Sequence, residues 1–131
     1  ALKRGEAVEV PEYDYERAIR LPPIRSLDPP KVLILEGILA LWDPSLTSLM
    51  DLKVFLQVEA DIRLIRRLHR DISERSRTID DVIQRYYETV RPMHQKFVEA
   101  TVRVADLVVG EENDRAAGAV AAQIRSVLGH E

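Results

Sequence analysis

Val32-Leu33-Ile34-Leu35 runs straight into Glu36-Gly37 with no polar residue alternating in. A strand with one wet face alternates apolar and polar residues. A short unbroken apolar run, stopped upstream by Asp28-Pro29-Pro30, belongs to a strand covered on both faces, as in a parallel sheet. Residues 52–58 and 106–109 have the same character. Between and after these runs the apolar spacing turns helical. Ile62, Ile65, Leu68 and Ile72 mark an amphipathic helix over 61–74. A longer helix is expected over 79–100, interrupted near Pro92, because an interior proline removes a backbone donor and clashes with the preceding turn. A closing helix follows over 115–128. Asp43-Pro44-Ser45 has the form of a helix start. Residues 8–20, bounded by Pro11 and by Pro22-Pro23, read as short extended pieces and a loop.

Strands alternating with helices predict an α/β fold, a parallel sheet with flanking helices. Three such strands leave open apolar edges, so the sheet is expected to be incomplete and completed by further sequence or by a partner. The 131 residues are read as a single domain, 1–131.

Composition narrows the function classes. With 46% hydrophobic and 31% charged residues the chain has the make-up of a globular domain. A net charge of -3 argues against a general nucleic-acid binder. No cysteine is present, so these residues can form neither a disulfide nor a thiolate site. No apolar run approaches the roughly 18–20 residues of a membrane span. No nucleic acid and no membrane are therefore expected as partners, and a cytoplasmic location is the default expectation.

Three clusters can carry chemistry. Glu36 stands at the tip of the first expected strand, where open α/β sheets bind ligands, and such a carboxylate can hold Mg²⁺ directly or through water. It can equally be an acid that caps the next segment. The second cluster is Arg63, Arg66, Arg67, Arg70, Arg75 and Arg77, opposed locally by Asp71 and Glu74. Arg63, Arg67 and Arg70 are spaced to share a helix face, and guanidinium forks match phosphate oxygens. The competing reading is a solvated face with ion pairs such as Arg67–Asp71 or Arg70–Glu74. Tyr13-Asp14-Tyr15 is the third, able to stack on a base or sugar, or to anchor a small core. His69 and His94 read as surface or packing residues, Trp42 as packing, and Asp80-Asp81 as a favourable helix start.

Together these pieces resemble the uridine kinase (phosphoribulokinase/uridine kinase) family. Val10-Pro11-Glu12-Tyr13-Asp14-Tyr15 with Arg20 is similar to its "P-x-Y-D-F…R" segment, and Glu36-Gly37-Ile38-Leu39 to "EGIL". Residues 50–55 resemble its next strand. Residues 60–77 resemble the lid helix, "AD-x-RL-x-RR-x-x-RD-x-x-ER-x-R". Val90-Arg91-Pro92-Met93-His94, Phe97-Val98-Glu99 and Ala105-Asp106 continue the likeness, which covers nearly the whole chain.

The resemblance implies a P-loop-kinase-like fold and transfer of the ATP γ-phosphate to the 5′-hydroxyl of uridine or cytidine, with Mg²⁺. It implies an acceptor-site segment at 8–20 and a lid helix at 60–78. Arg70 and Arg75 would face the triphosphate. Tyr13, Arg67, Arg77 and Arg85 would bind the nucleoside, Glu112 and Asn113 would lie by the adenine, and Glu36 would sit near the metal.

Departures accompany the likeness. No G-x-x-x-x-G-K-[ST] occurs in the sequence. The chain is expected to begin where roughly the first third of a typical member ends, so the N-terminal strand and catalytic aspartate would lie upstream. The family's base-reading histidine falls at Ala18, a sugar-holding glutamine at Arg85, the lid glycine at Ser76 and an aromatic at Val104. The leading expectation is part of a nucleoside kinase, inactive alone, forming a homo-oligomer or completed by a missing N-terminal segment. A non-catalytic kinase-fold module and a kinase of another small hydroxyl substrate are the alternatives.

Overall fold

A computed structural model describes residues 1–14, 17, 19–111 and 113–129. They form two compact units, 1–35 and 36–131.

In the first unit a short turn, Leu2–Arg4, closes on Gly5 at φ 76°, a left-handed conformation that favours glycine. An antiparallel hairpin follows, β1 (Val8–Asp14) against β2 (Ile19–Leu27). The extended pieces expected within 8–20 are β1 and the start of β2, and β2 continues through Pro22-Pro23, where the sequence reading had set a boundary. Two strands alone make this possible. Each has one unpaired side, so a residue without an N–H can be placed where no ladder donor is needed. The effect shows in the register: Pro11 stands opposite Pro23, and irregularities flank Pro11 on both sides. Tyr15 and Ala18 lie outside the described residues.

Residues 32–35, expected as a buried strand, belong to no ladder. They are exposed, Ile34 at 77%. A strand exists through the neighbours that accept its hydrogen bonds, and an apolar run supplies the side chains without supplying those neighbours. Among the described residues the parallel sheet accordingly has two strands rather than three.

The second unit starts at Glu36. Asp43 caps α1 (Pro44–Thr47), accepting from the Ser45 N–H at 2.8 Å and the Ser45 hydroxyl at 2.7 Å. Strands β3 (Val54–Leu56) and β4 (Leu107–Val109) pair in parallel, shorter than the 52–58 and 106–109 of the sequence reading. Lys53 and Asp106 clamp the entry to this pair. The Asp106 carboxylate accepts from the Lys53 N–H at 2.7 Å and meets the Lys53 ammonium at 2.9 Å, and the Asp106 N–H donates to the Lys53 carbonyl at 2.8 Å. The hydrogen bonds that the carboxylate accepts from the Lys53 ammonium and N–H hold it below its ordinary range.

Helices make up the connection between the two strands, as a parallel pair requires. Helix α2 (Ala60–Arg75) exceeds the expected 61–74 by one residue at each end. Helix α3 (Ile79–Arg85) opens on a capping box: the Thr78 hydroxyl accepts from the Asp81 N–H, and the Asp81 carboxylate accepts from Thr78. This is the helix start expected of Asp80-Asp81. The break expected near Pro92 takes another form. The coil widens to π turns over Tyr86–Val90 and His94–Val98 on either side of α4 (Arg91–Met93). The Arg91 N–H reaches back five residues to Tyr86, a spacing that carries the chain past a residue with no donor. A 3-10 stretch, Glu99–Val104, completes the path to β4. Helix α5 (Asn113–Leu128) closes the chain.

Among the described residues the buried set is small: Val82, Thr101 and the carboxylate Asp71. Trp42 packs edge-on against Phe97, with ring centroids 4.8 Å apart. No helix among the described residues is long and apolar enough to cross a membrane.

Candidate functional site

The arginines of α2 divide by partner. Arg63 Nε donates to the Val58 carbonyl at 3.0 Å, and Arg66 pairs with Glu111. Both tie the helix to the segments that follow β3 and β4. The remaining arginines turn to one residue. Arg67 Nε lies 3.5 Å from Asp71 Oδ2, and Arg70 Nε 3.5 Å from Oδ1. Arg75 Nη1 donates to Oδ1 at 3.2 Å and Arg77 Nη1 to Oδ2 at 3.1 Å. Of the two ion pairs named by the competing reading, Arg67–Asp71 is present, and Arg70 lies on Asp71 rather than Glu74.

Asp71 is 0% exposed. Burying an ionised carboxylate is costly unless it is paired and hydrogen-bonded, and here four guanidiniums surround it. They are partly exposed, from 24% for the Arg67 side chain to 49% for Arg75. One negative charge against four positive ones leaves a surplus of three, presented on nitrogens that Asp71 does not use. Arg67 Nε is buried without a hydrogen-bond partner. A compact, preorganised set of donors with surplus positive charge suits a polyanion such as a phosphate chain.

The helix exit shapes this cluster. Ser76 takes the left-handed conformation at φ 52°, ψ 33° and turns the chain so that Arg75 and Arg77 can return to Asp71. A glycine adopts that conformation without strain; serine does not.

Arg77 also lines a cleft of about 360 Å³ with Asp81, Gln84, Arg85 and Glu88. Gln84 Nε2 donates to Glu88 Oε1 at 2.8 Å. Thr78, through its hydroxyl and N–H, holds the Asp81 carboxyl below its ordinary range. The cleft offers cationic donors, carboxylate acceptors and an amide, a set suited to a ligand rich in hydroxyls. Arg77 and Arg85, two of the residues singled out in the sequence, meet here.

The other sequence candidates are placed separately. Tyr13, 46% exposed, stands directly opposite Arg20 in the hairpin, so the two share a face. Glu36 is exposed and opens the second unit. Among the described residues no group of three or more His, Asp or Glu is placed to hold a metal. A lone exposed carboxylate fits a role on the waters of a phosphate-borne Mg²⁺. Glu112 lies outside the described residues, and Asn113 opens α5. A second cleft, about 390 Å³, lies at the carboxyl ends of the parallel pair and is lined by Gln57, Val58, Glu59, Val108, Gly110 and Glu111. Parallel α/β sheets bind ligands at that end.

Sequence reading missed Asp71 as the point of convergence. The signal was present in its spacing, four residues after Arg67 and four before Arg75, both within reach on a helix. Gln84 and Glu88 were missed because nothing in the sequence shows which side of α3 is concave.

The profile of the phosphoribulokinase / uridine kinase family matches residues 1–117. A uridine kinase of Geobacillus sp. (strain WCH70) is 47% identical over 129 residues, taking in 97% of this chain and 61% of that protein. A uridine kinase of Listeria welshimeri is 46% identical over 130 residues, and one of Chloroflexus aggregans 45%, each match covering 98% of this chain and 62% of the relative. The chain thus spans about three-fifths of the length of the curated relatives it matches.

Proposed function

Because this chain belongs to the phosphoribulokinase / uridine kinase family, we propose that it contributes the acceptor and lid portion of an ATP-dependent nucleoside kinase. The reaction is transfer of the ATP γ-phosphate to the 5′-hydroxyl of uridine or cytidine. The observation that carries this reading is the group of four guanidiniums gathered on one buried carboxylate with three positive charges in excess.

In phosphoryl transfer the γ-phosphorus separates from its bridging oxygen as the acceptor oxygen approaches, and charge spreads over the equatorial oxygens. Arg70 and Arg75, the more exposed pair, face that charge and stabilise it. Arg67 and Arg77 hold the nucleoside, with Arg85 lining the same cleft as Arg77; Tyr13 is assigned to the nucleoside on its residue type and the family resemblance alone. Glu112 and Asn113 are assigned to the adenine from the family resemblance. Glu36 would hold the waters of a bound Mg²⁺, which would lower the charge on the β- and γ-phosphates. The sequence contains no G-x-x-x-x-G-K-[ST], so the amides and lysine that cradle the β/γ-phosphates are not among these residues. The isolated 131-residue chain is therefore expected to be inactive.

Ala18, where a base-reading histidine would stand, favours a relaxed choice of acceptor. The test is to express the full reading frame that encodes this chain and assay ATP-dependent phosphorylation of uridine, cytidine, pentoses and other small alcohols. Transfer to a pyrimidine nucleoside supports the reading, and transfer to another alcohol alone replaces the acceptor. No transfer and no ATP binding overturn it in favour of a non-catalytic kinase-fold module. Sedimentation of the same protein tests the proposed homo-oligomer.

A further inference from the structure

We propose that Asp71 is the positioning residue of this site: by its carboxylate and its main-chain carbonyl together it sets the geometry of the four arginines. The proposal rests on the reading of those arginines as facing phosphate.

Three observations carry it. Asp71 is a fully buried ionisable side chain, and both its oxygens are engaged, Oδ1 by Arg70 and Arg75 and Oδ2 by Arg67 and Arg77. Its carbonyl accepts from the N–H of Ser76, the residue in the left-handed conformation, and from the N–H of Arg77 at 3.2 Å. The same residue thus closes the exit turn and fixes the guanidiniums on either side of it. Each guanidinium has five N–H donors, and the contacts to Asp71 take a minority of them. Asp71 restrains these side chains without using up their capacity for a ligand.

Restraint matters because arginine is long and rich in rotamers, and four unrestrained guanidiniums rarely take together the one arrangement that transfer requires. It also sets a signature that separates positioning from simple electrostatics. Removing a negative charge beside a phosphate site strengthens attraction for an anion. Loss of orientation lowers the rate of transfer. A positioning role therefore predicts opposite movements of anion affinity and kcat when Asp71 loses its charge.

The experiment uses the protein from the full reading frame, as wild type, Asp71→Asn and Asp71→Glu. Calorimetry measures tripolyphosphate affinity, steady-state kinetics give kcat and KM, and ¹⁵N NMR reports the arginine Nε–H groups. For Asp71→Asn, kcat is expected to fall about 100-fold, the scale of an ångström-level misplacement of catalytic groups. Tripolyphosphate affinity is expected to hold or tighten, and the dispersed Nε–H resonances to collapse. Asp71→Glu, which keeps the charge but moves it by one methylene, is expected to recover part of kcat and of the dispersion.

Asp71→Asn with wild-type kcat and an unchanged Nε–H spectrum overturns the proposal alone, as does loss of thermal stability with kcat intact. A wild-type protein that binds neither tripolyphosphate nor ATP overturns the phosphate reading and this proposal with it. Should Asp71→Asn fail to fold, Asp71→Glu decides: a fall in kcat of about 10-fold at constant tripolyphosphate affinity supports positioning, and an unchanged kcat overturns it.

Discussion

Along α2 and its exit, one residue type is held in two ways. In the first half, Arg63 and Arg66 are matched singly, one to the Val58 carbonyl and one to Glu111. From Arg67 onward, four guanidiniums share Asp71. Single matching satisfies an arginine and leaves it as an anchor. Many-to-one matching leaves charge and donors over, and it needs a buried acceptor to prevent the guanidiniums from repelling one another. If the proposed roles hold, the functional arginines differ from the anchors less in their own exposure than in how many neighbours share their partner.

The two ways of holding arginine differ most in kinetics. If the proposed roles hold, Arg70→Ala or Arg75→Ala lowers kcat by about 100- to 1000-fold, the usual loss on removing a charge-stabilising donor. Arg66→Ala leaves kcat within about threefold of wild type and changes stability by at most ~1 kcal/mol, because its ion pair is half exposed. Equal kinetic losses in the two halves would erase the distinction.

Next in size is Asp71→Ala. It leaves four cations without their shared anion, and urea unfolding is expected to show a loss of about 3 kcal/mol. A loss under ~1 kcal/mol, the value of a surface pair, would mean that the convergence on Asp71 is incidental.

Ser76→Gly sharpens the comparison in the opposite direction. Serine at φ 52° carries strain that glycine does not, so thermal unfolding is expected to show a gain of about 0.5–1 kcal/mol. A loss instead would mean that the serine side chain contributes more than the strain removes.

Much of α2 was legible in the sequence because its apolar period and its charges agree, and its bounds came within a residue at each end. Strands β3 and β4 were legible in place but not in length, since a ladder ends where its partner ends. Residues 32–35 show the limit of such reading. They have the composition of a buried strand, yet strand formation depends on neighbours that no local pattern reveals. The second hairpin strand was hidden by Pro22-Pro23, which usually stop a strand and here do not, because the ladder has only two members. Pro92 was correctly seen as a disturbance, but π widening, not a break, absorbs it. Of the site, the arginines were legible by type and spacing. Their convergence was not, because an aspartate amid arginines reads equally well as one side of a solvated ion pair.

The smallest expected effect is on pH. Burial pushes His94 below its ordinary 6.5, with Arg63 adding to the shift, so its neutral form is favoured in the fold. The unfolded chain then binds the proton more readily, and stability present above about pH 6.5 falls as pH drops through that value. Asp43, Asp81 and Asp106, each held below the ordinary 3.8 by hydrogen bonds from Ser45, Thr78 and Lys53 respectively, give a second fall below about pH 4. Urea midpoints against pH should show both steps, and His94→Gln should remove only the first.

Titrating tripolyphosphate into three proteins from the full reading frame reads out whether charge beyond Arg66 is left over for a phosphate chain. These are wild type, Arg66→Ala and Arg70→Ala, each at several salt concentrations. The account predicts binding that weakens steeply with salt in wild type and Arg66→Ala alike, and at least about tenfold weaker binding in Arg70→Ala. Equal weakening in the two variants, or no binding by wild type, would contradict it.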